Sequence, residues 1–210
     1  MQIELQDIAK KFNKEWIFRN LNLCIPSGTK LAVLGSNGSG KSTLLQIILG
    51  SLSPNHGKII YTKDNFNIEV EQAYKYFSIA TPYLELVEEM TLNEMINYHF
   101  SFKRRLQNIS NKELIDLVGL KHSEHKEIRH YSSGMRQRVK LLLSMLSDVD
   151  CILLDEPCSN LDVQGIQWYK QLLEDYLLQR TLIICSNQTY EYEICDKNIS
   201  IMDFKPQSQK

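Results

Sequence analysis

The run Gly35-Ser36-Asn37-Gly38-Ser39-Gly40-Lys41-Ser42-Thr43 decides the fold. Its spacing, a glycine, four residues and then Gly-Lys-Ser, is that of a P-loop. Before it, Lys30-Leu31-Ala32-Val33-Leu34 predicts a short buried strand; after it, Thr43 to Gly50 predicts a helix ended by glycine. A strand, a glycine-rich turn and a helix N-terminus together present backbone N–H groups and a positive dipole end to a phosphate. In such a cradle Lys41 reaches the outer phosphates and the Ser42 hydroxyl meets Mg2+. The stretch from Gly35 to Thr43 is therefore the expected binding site of a nucleoside triphosphate.

Working outward, composition bounds the rest. The chain has 210 residues, 43% hydrophobic and 23% charged, which is ordinary for one soluble domain. A net charge of −1 gives no global basic field, and nucleic acid is not expected as a partner. No apolar run reaches the roughly 18 residues that cross a bilayer. The N-terminal stretch Met1-Gln2-Ile3-Glu4-Leu5-Gln6-Asp7 has neither signal-peptide nor transit-peptide character. Cys24, Cys151, Cys158, Cys185 and Cys195 lack CxxC spacing and read as reduced core thiols of a cytosolic protein. His122, His125 and His130 read as a solvated helical face in place of a metal cluster.

Strands are expected at 2–8, about 16–25, 30–34, 57–62, 75–80, 150–154, 181–186 and 198–202. Helices are expected at 43–50, 91–102, 111–117, 133–146 and 162–178. The alternation predicts an α/β fold: a P-loop core with a mostly parallel sheet covered on both faces, plus an N-terminal antiparallel β portion. Residues 83–135 are expected to form an inserted helical subdomain, with 1–82 and 136–210 as the core of a single domain. The end, 205–210, is expected to fray.

Cys151-Ile152-Leu153-Leu154-Asp155-Glu156-Pro157 is an apolar strand ending in two acids, which places carboxylates at the sheet edge shared with the P-loop. Asp155 is the candidate Mg2+ ligand. Glu156 is the candidate general base, a role worth roughly 10² to 10⁴ in rate.

Two further stretches make the chain resemble a known family. Tyr131-Ser132-Ser133-Gly134-Met135-Arg136-Gln137-Arg138 resembles the LSGGQ-x-QR signature of ABC-type ATPases, and Ser159-Asn160-Leu161-Asp162 resembles their D-loop. The order P-loop, helical insertion, signature, acidic strand, D-loop covers nearly the whole chain. The resemblance implies an ATPase that binds ATP with Mg2+ and closes as a dimer. Ser132, Ser133 and Gly134 would offer donors to the γ-phosphate of ATP held by the other domain's P-loop, and Asp162 would serve communication across the dimer. It also implies an aromatic that stacks on adenine, matched by Phe12, with Trp16 as a second possibility; a core aromatic is the alternative for either.

The chain departs from the family at three places. Ser133 and Met135 replace a glycine and a glutamine of the signature, and Ser133 costs affinity if its site needs positive φ. Pro82 occupies the Q-loop glutamine's place, where Thr81 or Glu85 could substitute. Asn187 stands where a histidine is usual; it donates to a γ-phosphate without charge, and a charged donor is roughly twice as strong. Slow hydrolysis is the expected consequence.

What the resemblance implies about purpose is an ATPase subunit of an ABC transporter, peripheral on the cytoplasmic face of the cell membrane. It would power a separate membrane-spanning subunit as a homodimer or heterodimer. Tyr83, Leu84, Leu86 and Met90 are the expected apolar docking surface, shared with the subdomain's own core. A non-hydrolysing or slow nucleotide-binding partner in a heterodimer and a soluble non-transport switch ATPase are the alternatives.

Overall fold

The computed structural model describes residues 1–206. Of the stretch expected to fray, 207–210 lie outside the described residues. Two sheets organise the chain. One is antiparallel, in the order β2-β1-β4-β5, from β1 (Gln2–Phe12), β2 (Glu15–Ile25), β4 (His56–Lys63) and β5 (Phe66–Ile68). The other is parallel, in the order β6-β7-β8-β3-β9, from β6 (Phe77–Ala80), β7 (Cys151–Asp155), β8 (Thr181–Cys185), β3 (Lys30–Leu34) and β9 (Lys197–Ser200). Helices α1 (Lys41–Leu49), α3 (Leu92–Phe102), α4 (Asn111–Val118), α5 (Ser133–Met145) and α6 (Val163–Tyr176) are the long ones. Short α2 (Val70–Ala73) and α7 (Thr189–Tyr192) complete the set among the described residues.

The parallel strands are apolar along their length because both faces are covered. In β7, Cys151 and Leu153 point into the core shared with α1 and the antiparallel sheet, while Ile152 and Leu154 point into the core shared with α5 and α6. β8 repeats the alternation, with Ile183 and Cys185 on the first side and Leu182 and Ile184 on the second. Leu92, Met95 and Ile96 of α3 and Leu114, Ile115 and Val118 of α4 join the second core. Thr91 and Glu94 form a capping box on α3, Ser110 and Glu113 another on α4, and Gly119 in the left-handed region (φ 72) ends α4.

Several expectations change. The strand expected at 75–80 begins with a 3-10 turn, Tyr74–Tyr76, and is extended only over Phe77–Ala80. The one expected at 198–202 runs from Lys197 to Ser200, and the apolar Ile201 and Met202 that prolonged it belong to a second 3-10 turn, Ile201–Phe204. The three histidines share no helix: two 3-10 turns, Lys121–Ser123 and Ile128–His130, interrupt the stretch. Cys24 is exposed on β2, so the five cysteines are not all core thiols; Cys151, Cys158 and Cys185 are buried.

Candidate nucleotide site

The P-loop crosses from the end of β3 to the start of α1, beneath β2. At Gly40, the residue before α1, φ is 108°, and a Cβ there would lie 2.4 Å from Ile17 Cγ2, so neither conformation nor space admits another residue. The helix end is open: no side chain caps α1 and no acid sits in its first turn. Its free N–H groups and positive dipole end therefore face whatever fills the loop. Lys41, buried, turns its ammonium to the Gly35 carbonyl at 2.7 Å and the Ser36 carbonyl at 3.2 Å. Ser39 Oγ is buried without a hydrogen-bond partner. An uncapped helix end, an orphaned hydroxyl and a lysine folded onto its own loop fit a phosphate-bearing ligand.

β7 delivers the acids. Asp155, 2% exposed, ends the strand. Burial pushes its carboxyl up; a hydrogen bond with Ser42 opposes this, Glu156 adds to it and Lys41 counters it. A buried carboxylate facing the first turn of α1, with Ser42 beside it, fits a hard cation that takes oxygen ligands. Glu156 is different in kind. Its N–H still donates to Cys185 O at 2.8 Å, extending the ladder to β8, but its φ of 46° is left-handed. That costs a non-glycine residue roughly 1–2 kcal/mol. The turn breaks the strand's alternation and puts Glu156 on a cavity of about 430 Å³ bordered also by Asn37, Ser159, Asn160 and Asn187. Asn187, in turn, donates its side-chain amide to Asn37 Oδ1 at 3.0 Å.

The signature residues form the N-terminus of α5. Ser132 caps it, its hydroxyl oxygen accepting from Met135 N at 3.2 Å while its own proton stays free to donate outward. Ser132 and Ser133 are exposed. Ser133 is the first residue of α5 and has no positive φ, so the strain that its Cβ threatened does not arise. Gly134 packs on the D-loop: a Cβ there would stand 2.7 Å from the Asn160 carbonyl oxygen. Asp162 caps α6, accepting from Gly165 N at 2.7 Å, with Arg138 at 3.9 Å.

At Pro82 the backbone is held from α5. Lys140 Nζ donates to the Thr81 carbonyl at 3.2 Å and the Pro82 carbonyl at 3.1 Å, tying the loop after β6 to the signature helix. No sequence signal marked Lys140. Tyr83 and Leu84 are exposed, whereas Leu86 is buried and Met90 packs against the helical core, so the apolar surface is half of what was expected. Phe12 lies exposed at the end of β1 with the Lys10 ammonium 5.2 Å from its ring centre. Trp16 is half-buried, with Arg19 at 4.7 Å and Lys11 at 5.2 Å. A cavity of about 770 Å³ lies by the start of β7, the strand end opposite Asp155. Its Lys103 and Arg180 are committed to backbone carbonyls, Lys103 to those of Tyr74 and Phe77 and Arg180 to those of Met145 and Ser147 among others.

A family model described as "ABC transporter" matches residues 18–159, more than half of the chain. The lantibiotic transport ATP-binding protein SrtF of Streptococcus pyogenes is 28% identical over 197 residues, spanning 91% of this chain and 82% of that protein. The ribosome protection protein VmlR of Bacillus subtilis is 32% identical over 200 residues, 91% of this chain but 32% of that protein. The ATP-binding cassette MJ0796, solved as a dimer in a post-hydrolysis state bound to ADP and Pi, superposes with a TM-score of 0.80 at 21% identity. The superposition covers 94% of this chain and 93% of that one, a likeness of fold.

Proposed function

The chain belongs to the ABC transporter family, and from that premise we propose how it works as an ATPase: two copies, or this chain and a related one, close on ATP and drive a separate membrane-spanning subunit. The match to SrtF runs along 82% of that protein, against 32% of VmlR, which favours the transport reading. No helix among the described residues is long and apolar enough to cross a membrane, and in this reading the membrane-spanning part is a separate subunit. The arm from 83 to 135, with Tyr83 and Leu84 exposed at its start, is the docking side for that partner on the cytoplasmic face.

The open end of α1 and Lys41 hold the phosphates. Ser42 and Asp155 would hold Mg2+, which neutralises charge that develops on the phosphate oxygens. Glu156 takes the proton of the attacking water, and its left-handed turn is the observation that carries this reading. Ser132 and Ser133, both exposed, would with Gly134 offer donors to ATP held by a second domain's P-loop. Asn187 supplies an uncharged donor, and turnover is slow.

Hydrolysis measured on the purified protein over a range of protein concentrations tests this. Activity is expected to need Mg2+, to vanish in Lys41→Ala and to rise faster than linearly with protein, since two domains share each site. Activity that is proportional to protein and indifferent to Lys41 would overturn the reading.

A further inference from the structure

Glu191 sits on α7, outside every motif in the sequence, yet it is 3% exposed. An acid is almost never fully buried unless its oxygens are used. Here both are. Oε1 accepts the Cys158 backbone N–H at 2.8 Å, and Oε2 accepts the Ser186 hydroxyl. Ser186 Oγ also accepts from Gln188 N at 2.8 Å, and the Tyr169 hydroxyl donates to the Glu191 carbonyl at 2.9 Å, anchoring the short helix on α6.

The two segments that this carboxylate joins are the two that frame the reaction. Cys158 is two residues after Glu156, at the root of the D-loop. Ser186 is one residue before Asn187. Glu156 is held on one side by the ladder bond to Cys185 O and a turn closed by Ser159 N on its carbonyl at 3.0 Å; just beyond it, Gln137 Nε2 donates to the Pro157 carbonyl at 2.8 Å and the Glu191 carboxylate holds Cys158.

We propose that Glu191 is a positioning residue for hydrolysis: its carboxylate clamps the root of the D-loop to the loop of Asn187, and so fixes Glu156 and Asn187 across their shared cavity. The clamp touches neither P-loop nor phosphate. It sets the rate of the chemical step and leaves nucleotide affinity alone. The neighbouring charges agree with a carboxylate bought at some expense, since burial, Glu156 and Asp155 all push its carboxyl up while Ser186 and the Cys158 N–H hold it down. The proposal rests on the reading of Glu156 as base.

The test uses Glu191→Gln, which keeps the shape but turns an amide donor toward one of the two donors. Ser186→Ala serves as a milder variant that removes one arm of the clamp, and Glu156→Gln as the reference. Single-turnover hydrolysis, equilibrium binding of a fluorescent ATP analogue and thermal melting are read on each full-length protein. Glu191→Gln is expected to slow hydrolysis at least roughly tenfold with the analogue's Kd within about threefold, as for a group acting only in the transition state. Ser186→Ala is expected to fall between it and the wild type, and the double variant to be no slower than Glu191→Gln alone, because both act through one contact. Wild-type rates in Glu191→Gln beside an inactive Glu156→Gln would overturn the clamp alone. A Kd that rises in step with the lost rate in both Glu191→Gln and Ser186→Ala would overturn it too, as a general loss of structure. A fully active Glu156→Gln would instead remove the base assignment beneath it.

Discussion

The side-chain amide of Asn187 donates to Asn37 Oδ1 at 3.0 Å, so the loop after β8 is bonded to the P-loop. In the proposed mechanism a γ-phosphate would take that amide from Asn37 and gain only a neutral hydrogen bond in exchange. Asn187→His replaces the amide with a ring that carries charge near neutral pH. Single-turnover hydrolysis is expected to accelerate by roughly an order of magnitude, the worth of about 1.4 kcal/mol. A variant no faster than the wild type removes Asn187 as the cause of slow turnover.

Gly134 leaves no room for a Cβ beside the Asn160 carbonyl, 2.7 Å away, and Asn160 is itself left-handed at φ 64°. In Gly134→Ala the signature helix and the D-loop must separate. Overpacking of this kind costs roughly 1–3 kcal/mol. Denaturant unfolding is expected to show that loss, and ATPase activity to fall further than stability does. Unchanged activity would mean that the contact between signature and D-loop is unimportant for catalysis.

His99 on α3 is held neutral. Burial foremost, then the Lys103 ammonium, lower its pKa to about 4 from the usual 6.5. Its Nε2 lies 2.9 Å from Ser147 Oγ, which spends its own proton on the Leu143 carbonyl, so the ring donates through Nε2. Between pH 6.5 and 4 the unfolded chain takes up a proton that the folded one refuses, and stability falls as the pH falls through that window. The contribution is of the order of 2–3 kcal/mol at most. His99→Gln keeps a donor toward Ser147 and is expected to flatten the stability curve from pH 6.5 to 4 by that amount relative to the wild type. Parallel curves would contradict a buried neutral imidazole.

The α/β fold was legible because its signals are local. Gly35 to Thr43 needs particular backbone torsions, and the apolar run from Cys151 to Leu154 has partners on both faces whatever the sequence in between. What was not legible depends on distant partners. Glu191 reads as an ordinary surface residue until Cys158, in the turn after β7, arrives beside it and Ser186, five residues earlier, turns its hydroxyl to it. Lys140 gains its role only because the loop after β6 brings the Thr81 and Pro82 carbonyls to it. The positive φ of Glu156 follows a strand of ordinary appearance, and nothing in its sequence marks the turn. The strand expected at 75–80 failed at its start because Tyr76 has high strand propensity but ends a 3-10 turn, Tyr74–Tyr76.

Lys140 links the loop after β6 to the signature helix through the carbonyls of Thr81 and Pro82. Lys140→Met keeps most of the aliphatic stem and leaves both carbonyls without this donor. The half-buried site is expected to lose about 1 kcal/mol, seen as a lowered Tm of a few degrees. Hydrogen exchange is expected to rise at Leu84, whose N–H closes the turn on Thr81. Unaltered exchange there would show that the lysine does not order the loop.

Glu156 is the proposed base of a site completed by a second domain. Glu156→Gln, assayed together for ATP turnover and for mass in solution with Mg2+ and ATP, tests this most directly. ATP is expected still to bind, turnover to fall by roughly 10² or more, and an ATP-dependent dimer to accumulate because closure is no longer followed by hydrolysis. Turnover at the wild-type rate, or a variant that stays monomeric while saturated with ATP, would contradict it.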